Sequence, residues 1–423
     1  MCAPSSKTGV DGTLMHTWLH EAPTSNNNTG ALTDDGLENI AAHKYKAGHY
    51  TFFDNYFNPH WTKLTELLPM SLAPNMVTCM GGFHCLLAYL ILWYHAPQYD
   101  NAVPDWVIFF CGYCNIAYYT FDCMDGKQAR RTGASSPLGQ LFDHGFDCIC
   151  NLAHISTIAG YLMIGRTGWF MALQASVFFT FFMAQWEEYY TGELPHAVGN
   201  FGVTELNYGL GILAILNGIL DREIFWRREM VNILPSAVID LFPQDVATMK
   251  LKYFCLSIWF ALIVFMIIDS AVRVALNEKV KKNGLIFSAL TRLLSPAMVL
   301  LAPFILPEHI MENETRYISI CTGLLCSFLT KKMIVFSMAK MTYAVIQKEA
   351  LVYFATFLWI RYDTNITEEG ATLLIAILCV WYSSRMTLWA SKAVNQICER
   401  LDIYCFTIKE KVLDDPDAYK KVQ

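Results

Sequence analysis

Long apolar runs alternate with short polar segments over most of the chain. A helix rises about 1.5 Å per residue, so about 20 apolar residues cross the hydrocarbon core of a bilayer. About ten runs approach that length. They cover residues 76–94, 106–124, 137–160, 168–186, 204–220, 253–272, 285–306, 316–338, 345–360 and 372–390. This pattern predicts an all-α polytopic membrane protein with about ten transmembrane helices.

The residues before the first span follow a different pattern. Residues 1–45 are rich in Thr, Ser, Asn and Gly and lack the apolar core of a signal peptide, so we expect a disordered cytosolic tail. Within 46–74, Asn58-Pro59 is typical of an N-cap and first helical turn. The apolar residues that follow share one face: Trp61, Leu64 and Leu68. They predict an amphipathic helix lying in the membrane interface, with a packed connector as the alternative.

The rest of the chain divides into three predicted parts. These are catalytic helices over 75–225, C-terminal transmembrane helices over 226–390 and a cytosolic tail over 391–423. The last four residues are Lys420-Lys421-Val422-Gln423 and resemble a dilysine signal for retrieval to the endoplasmic reticulum. An accidental match of a basic tail is an equally good explanation of that short sequence.

Composition agrees with a membrane protein. Apolar residues make up 54% of the chain and charged residues only 16%, against about 25% charged in a typical soluble domain. The net charge of −6 says little, because the charges are segregated between loops. The 14 cysteines lie mostly within apolar runs and lack paired metal-binding spacing, which predicts buried, reduced thiols.

Lysine and arginine lie mainly on one predicted side of the membrane, which is the cytosolic side by the positive-inside rule. They include Lys127, Arg130, Arg131, Arg273, Lys279, Lys281, Lys282, Lys331, Lys332, Lys340, Lys348, Lys392 and Arg400. The opposite loops are acidic and contain two glycosylation sequons, Asn313-Glu-Thr315 and Asn365-Ile-Thr367. The loop over 221–250 departs from this rule because it contains Arg222, Arg227 and Arg228.

A cluster of acidic residues lies where the second and third spans meet. Asp122, Asp125, Gly126, Ala129 and Arg130 recur at the spacing of one helical face, and Gly139, Asp143 and Asp147 recur at intervals of four on the next helix. Ser136-Pro137 between them predicts an N-cap and a first helical turn. The sequence therefore predicts two helices that bring four carboxylates together.

Such a cluster predicts bound divalent cations. Neighbouring carboxylates repel one another, and oxygen-only ligands suit Mg²⁺, Mn²⁺ or Ca²⁺ rather than zinc or copper. Four acids balance two ions, a pair of which can clamp the oxygens of a phosphoryl transfer. Gly126 and Gly139 leave room for a phosphate, and the guanidinium of Arg130 suits phosphate oxygens. The alternative is a solvated polar turn, but acids inside apolar helices are costly without a function.

The same residues resemble the signature of a known family. The pattern D-x-x-D-G-x-x-A-R-x8-G-x3-D-x3-D is typical of CDP-alcohol phosphotransferases, and all its positions are present from Asp122 to Asp147. The longer sequence from Asp125 to Gly145 is similar to that of the eukaryotic choline/ethanolamine phosphotransferase branch. The resemblance extends over residues 40–390, although only the signature is highly specific.

The resemblance implies an activity. A member of this branch transfers phosphocholine or phosphoethanolamine from CDP-choline or CDP-ethanolamine to diacylglycerol and releases CMP. It implies that the cofactors are two Mg²⁺ or Mn²⁺ ions and that His144 is the general base, a role that suits a neutral imidazole. It also implies a homodimer in the membrane of the endoplasmic reticulum or Golgi, with no nucleic-acid partner. The placement of lysine and arginine predicts that the site faces the cytosol.

Further residues are assigned to substrate binding. Asn75 begins the first span in Pro-Asn-Met-Val-Thr, a string that also resembles the family, and its amide suits a pyrimidine edge or ribose. Asn75 is also a candidate helix N-cap, a role that is compatible with substrate binding. Gly126, Ala129, Arg130 and Gly139 are assigned to the donor site with it.

The ammonium head group has a candidate site of its own. Trp186-Glu187-Glu188-Tyr189 and Thr204-Glu205 lie on the cytosolic side, where rings and carboxylates can hold a cation. Membrane-interface aromatic residues are the alternative explanation.

Two other functions remain open from the sequence. A cation transporter also buries acidic residues, but it usually shows internal repeats and broken helices near mid-membrane. A phosphotransferase with another head group or acceptor, such as inositol, would share the same motif. The preference between choline and ethanolamine does not follow from these residues, because both donors need the same metal and phosphate contacts.

Overall fold

The computed structural model describes residues 30–43, 48–99, 103–195, 197–198 and 201–409. Most of the predicted N-terminal tail and the dilysine sequence lie outside these residues. Within the described part, nearly all regular structure is helical, and the one sheet is a hairpin of β1 (Ala197–Val198) and β2 (Phe201–Gly202). The predicted all-α architecture is confirmed.

The helices follow one another along the chain with short connections. In chain order they are α1 Asp34–Ala41, α2 Phe52–Glu66, α3 Pro74–His95, α4 Asp105–Arg131, α5 Pro137–Leu162, α6 Gly168–Thr191, α7 Val203–Asn217, α8 Arg222–Arg227, α9 Ser236–Ile239, α10 Gln244–Ala247, α11 Leu251–Leu276, α12 Glu278–Lys282, α13 Ile286–Thr291, α14 Leu294–Leu301, α15 Glu308–Asn313, α16 Thr315–Ala339, α17 Lys348–Tyr362 and α18 Glu368–Leu401. Short 3₁₀ segments cover Met230–Asn232 and Ala302–Ile305.

Each predicted span coincides with helical structure. Five segments of the described chain are long and apolar enough to cross a membrane: α3, α11, the segment Ile286–Ile305, α16 and α18. That segment is broken into α13, α14 and a 3₁₀ turn, and it contains Pro296 and Pro303, which lack the backbone N–H of a regular helix. Helices α7 and α17 have 15 residues each, which is shorter than a full crossing.

Helix α2 begins earlier than predicted. Its N-cap is Thr51, which exchanges capping-box hydrogen bonds with Asp54, and Pro59 lies inside the helix. The predicted start at Asn58-Pro59 was wrong because the capping box satisfies the free N–H groups seven residues earlier. Trp61 is buried against α7, where its indole donates to the hydroxyl of Tyr208 at 2.8 Å.

Part of the expected disordered tail is helical. Thr33 caps α1, and the Asn39 amide donates to the Ala339 carbonyl at the end of α16. The Gln396 side chain accepts a hydrogen bond from the Leu32 N–H and donates one to the Leu32 carbonyl. The expectation of disorder over 1–45 was therefore wrong for α1, because tertiary contacts stabilise a helix too short to persist alone.

The helices around the acidic motif pack closely. α3 contacts both α4 and α5, and α4 crosses α7 where Gly112 meets Gly211. A Cβ at Gly112 would lie 2.7 Å from the Gly211 carbonyl oxygen, so glycine is required at this crossing. α16 packs against α5, α6 and α18. The end of α4 and the start of α5 are thus held together at one end of the bundle.

The C-terminal helix extends past its predicted end. α18 continues to Leu401, so the predicted tail over 391–423 begins as helix. Asp402 ends the helix in a left-handed conformation (φ 52°). Residues 402–409 then reach the start of α3, where the Cys405 carbonyl meets the Asn75 amide.

Candidate metal and nucleotide site

The turn between α4 and α5 brings the predicted acidic residues together. Ser136 caps α5 by accepting a hydrogen bond from the Gly139 N–H, and Pro137 occupies the first turn, as the sequence predicted. Gly133 permits the turn with φ 67°. One carboxylate oxygen from each of Asp122, Asp143 and Asp147 lies within 4.8 Å of the others. These three side chains therefore form one cluster across two helices.

Asp125 is oriented differently. Its Oδ2 accepts a hydrogen bond from the Thr78 hydroxyl of α3 at 2.5 Å, and the side chain is buried. It is not among the three residues whose oxygens converge. Thr78 therefore holds Asp125 beside the cluster and links α3 to the site.

The cluster fits a divalent cation. Oδ1 of Asp122 and Oδ1 of Asp143 are buried and accept no hydrogen bond from any described residue. Oδ1 of Asp147 accepts a hydrogen bond from the Tyr118 hydroxyl, which orients that carboxylate. Buried carboxylate oxygens without donors are costly unless a cation neutralises them. The all-oxygen set matches the ligands of hard cations such as Mg²⁺.

His144 lies at the edge of this cluster. It is buried on α5, and its Nε2 lies 3.8 Å from Oδ2 of Asp143. The helical position one residue after Asp143 turns the imidazole about 100° from the ligand face. The ring is thus beside the acidic cluster while belonging to a different face of α5.

The two glycines of the motif border open space. A Cβ at Gly139 would meet no described atom within 4 Å, and one at Gly126 would meet only the Arg130 guanidinium, at 3.6 Å. Arg130 is exposed and folds back over Gly126, while Ala129 is half-buried beside it. The space beside these two glycines is therefore bordered by small residues and one arginine.

Asn75 does not cap α3. The N-cap is Ala73, with Pro74 at the first helical position, so the N-cap prediction was wrong. The amide of Asn75 instead donates from Nδ2 to the backbone carbonyl of Cys405 at 2.9 Å. Thr78 lies one turn further along α3, which places Asn75 beside the residue that holds Asp125.

Glu205 has a structural contact and a free oxygen. Its Oε2 accepts a hydrogen bond from the backbone N–H of Gly202 at 2.8 Å and caps α7. Its Oε1 is buried and has no hydrogen-bond partner among the described residues. One oxygen of this carboxylate therefore remains for a ligand.

Comparison with known proteins agrees with this geometry. Residues 71–307 match the CDP-alcohol phosphatidyltransferase family, a match that contains α3 to α14 and the whole acidic cluster. The chain belongs to the CDP-alcohol phosphotransferase family.

Relatives of this CDP-alcohol phosphotransferase match over most of their length. Choline/ethanolaminephosphotransferase 1 of Arabidopsis thaliana is 29% identical over 90% of this chain and 99% of its own. Cholinephosphotransferase 1 of Xenopus laevis is 28% identical over 82% of this chain and 84% of its own. Ethanolaminephosphotransferase 1 of Pongo abelii is 26% identical over 90% of this chain and 95% of its own. The protein is thus a transferase, and the transporter alternative is set aside.

The expected head-group cluster on α6 is mostly engaged elsewhere in this phosphotransferase. Trp186 is fully buried and donates to the Ala289 carbonyl at 2.9 Å. Glu187 is paired with Arg273, whose Nε lies 2.6 Å from Oε1 of Glu187. Tyr189 donates to the Met341 carbonyl. Trp186, Glu187 and Tyr189 therefore join α6 to its neighbours, and a head-group site in this region stays a prediction.

Sequence reasoning about the phosphotransferase site missed Thr78 and Tyr118. Both were accessible in principle from helical spacing. Thr78 follows Asn75 by three residues in the Pro-Asn-Met-Val-Thr string, and Tyr118 precedes Asp122 by four. Each donates a hydroxyl to one of the motif carboxylates.

Proposed function

We propose that the protein transfers phosphocholine or phosphoethanolamine from CDP-choline or CDP-ethanolamine to the sn-3 hydroxyl of diacylglycerol, releasing CMP. The products are phosphatidylcholine or phosphatidylethanolamine. The observation that carries this proposal is the convergence of Asp122, Asp143 and Asp147, with buried oxygens that lack hydrogen bonds, inside the region matching the family. The names of the relatives support both head groups.

In this proposal four aspartates hold two Mg²⁺ or Mn²⁺ ions. Asp122, Asp143 and Asp147 form the convergent set, and Asp125 completes it from its position beside Thr78. Bound ions would neutralise charge on the diphosphate and on the leaving CMP. Tyr118 and Thr78 keep two of the carboxylates oriented, which reduces the reorganisation that ion binding requires.

Substrate binding is assigned to residues around the open space. Arg130 grips the donor phosphates with its planar guanidinium, and Gly126, Ala129 and Gly139 leave room for them. Asn75 contacts the cytidine, while the free oxygen of Glu205 faces the substrate from α7. These assignments place the nucleotide at the end of the bundle formed by α3, α4 and α5.

His144 acts as the general base. An alcohol is a weak nucleophile until a neighbouring group takes its proton. The imidazole lies beside the acidic cluster on a separate face of α5, so it can accept the diacylglycerol proton while the aspartates serve the donor. The proton moves from the sn-3 hydroxyl to a ring nitrogen as that oxygen attacks phosphorus and CMP leaves.

The cellular setting completes the proposal. We place the protein in the membrane of the endoplasmic reticulum or Golgi as a homodimer, with the site facing the cytosol. The helices over 75–225 form the catalytic part, and those over 226–390 complete the membrane domain. A charged nucleotide donor is then available on the side where the aspartates lie.

A reconstitution assay tests this function. The purified protein is incubated with diacylglycerol, Mg²⁺ or Mn²⁺ and each CDP-alcohol, and the lipid product is identified by mass spectrometry. We expect phosphatidylcholine or phosphatidylethanolamine and stoichiometric CMP from the native protein, and no product from Asp143→Asn. Failure of both donors to give lipid, with a folded protein, would overturn the proposal.

A further inference from the structure

The chain after α18 returns to the nucleotide end of the bundle. Residues 402–409, here called the C-terminal strap, leave α18 after Leu401. The carbonyl of Cys405 accepts the hydrogen bond from Nδ2 of Asn75 at 2.9 Å. The next residue, Phe406, packs edge-to-face on Phe142 of α5, with ring centroids 5.5 Å apart and planes at 83°. The strap therefore touches both α3 and α5.

Each of its two anchors is close along the chain to a residue of the acidic motif or to one that contacts it. Asn75 is one turn from Thr78, which holds Asp125, and Phe142 directly precedes Asp143. The strap thus crosses between α3 and α5 at the end where Gly126 and Gly139 border open space. It lies outside the region that matches the family, which ends at residue 307.

The Cys405 carbonyl determines which way the Asn75 amide faces. A carbonyl oxygen can only accept, so the NH₂ group of Asn75 must point to it. The amide oxygen is then the atom of Asn75 that is left to accept a hydrogen bond from a ligand. An acceptor at this position suits the exocyclic amino group of cytosine, whereas uracil carries a carbonyl there.

Phe406 offers the second element of a base site. Its ring is 49% exposed, although it contacts Phe142. An edge-to-face contact leaves a ring face uncovered. Aromatic rings bind nucleobases by stacking on them, and replacing such a ring by alanine removes this stacking energy.

We propose that the C-terminal strap forms one wall of the nucleotide site, in which Phe406 stacks on the cytosine and Cys405 orients Asn75 toward its amino group. This inference rests on the proposed function, since it assumes a CDP-alcohol donor. It makes Phe406 a substrate-contacting residue contributed by a segment some 260 positions beyond the acidic motif.

The test compares three variants on the full-length protein. Phe406→Leu keeps an apolar contact with Phe142 but removes the stacking face, and Phe406→Trp keeps such a face. Tyr404→Ala is the matched control, because Tyr404 is an exposed aromatic residue of the same strap whose ring contacts Lys409. The measurements are KM and kcat for the CDP-alcohol, KM for diacylglycerol, and calorimetric binding of CMP.

We expect Phe406→Leu to raise the KM for CDP-alcohol and the Kd for CMP about tenfold, with kcat and the diacylglycerol KM unchanged. Phe406→Trp and Tyr404→Ala should remain near the native values. Unchanged CMP affinity in Phe406→Leu would overturn the inference, as would a loss of thermal stability without any change in KM. If the native protein binds CMP but turns over neither donor, the proposed function fails. The CMP affinities of Phe406→Leu and the native protein still decide whether the strap contacts the nucleotide.

Discussion

Carboxylates that face one another across a helix junction are stable only when something balances their charge. Asp122 and Asp143 each bury an oxygen that accepts no hydrogen bond from the described chain, and only a hydroxyl supports Asp147. A bound cation would supply that balance, and the junction therefore has the charge arrangement expected of a cation site.

Asp143→Asn should abolish turnover and leave the fold intact. An amide cannot balance a cation, and removing one of several like charges does not remove a packing contact. Initial rates and thermal unfolding, each measured with and without Mn²⁺, check this. Asp143→Asn should also lose the stabilisation that the metal gives to the native protein. Retention of more than a few per cent of activity would contradict the metal assignment.

Arg130→Lys should raise the KM for CDP-alcohol although the charge is kept, because lysine lacks the planar guanidinium. Arg131→Lys is a matched control. Arg131 donates to the carbonyls of Thr65 and Leu68, so that variant should lower stability without changing KM. Steady-state kinetics on both variants separate the two roles. Equal KM values in Arg130→Lys and the native enzyme would remove Arg130 from the donor site.

His144→Ala should lower kcat by about 10²–10⁴-fold, the usual effect of losing a general base. Binding of CDP-alcohol and of metal should persist, since the aspartates and Asn75 remain. Single-turnover rates together with CMP titration distinguish loss of chemistry from loss of binding. Near-normal turnover would show that another group is the general base. Glu205 is then a candidate, because its Oε1 has no hydrogen-bond partner among the described residues.

At the scale of elements, close helix contacts place the site. α4 carries Asp122 and Asp125 and approaches α7 through Gly112 and Gly211. α3 brings Thr78 to Asp125, and α2 is tied to α7 through Trp61 and Tyr208. The positions of the carboxylates therefore depend on helices that contain none of them.

Gly112→Ala should destabilise the protein by about 1–3 kcal/mol, because its Cβ would meet the backbone of α7 and overpack the crossing. Gly209→Ala serves as the control on α7, since a Cβ there meets no described atom within 4 Å. Thermal unfolding in the same detergent gives the comparison. Equal changes in stability in the two variants would contradict the role of the crossing, because alanine raises helix propensity at both positions.

At the scale of the whole molecule, segments from both ends of the described chain reach the end of the bundle that carries the aspartates. His43, which follows α1, forms a hydrogen bond through Nε2 with Gln140 of α5. Phe406 of the C-terminal strap packs on Phe142 of the same helix. The first turns of α5, which precede Asp143, are therefore held by segments from opposite ends of the sequence.

The proposed orientation has a direct test at the exposed loop before α18. Asn365 is exposed and belongs to a sequon, and this end of α18 is remote from the strap that follows Leu401. Expression in a eukaryotic host should give a glycan sensitive to an endoglycosidase, and Asn365→Gln should remove it. Asn365→Gln should leave turnover unchanged. Labelling of an Asn365→Cys variant by a membrane-impermeant thiol reagent from the cytosolic side of sealed microsomes would instead contradict the proposed topology.

The sequence by itself determined the parts that local spacing encodes. Apolar runs predicted helices, and five of the described segments are long and apolar enough to cross a membrane. The Ser136-Pro137 cap predicted the start of α5, and intervals of three and four placed the aspartates on helix faces. These features depend on residues within one or two turns of one another, so a single chain segment contains the whole signal.

Only the tertiary structure decided which distant groups meet. It paired Arg222 with Asp105, which gives a partner to an arginine in a loop that the sequence predicts on the acidic side of the membrane. It also paired Glu187 with Arg273. It also turned Asp125 toward Thr78 and brought Cys405 to Asn75. Contacts of this kind depend on how helices pack, and no local periodicity specifies which side chains then face each other.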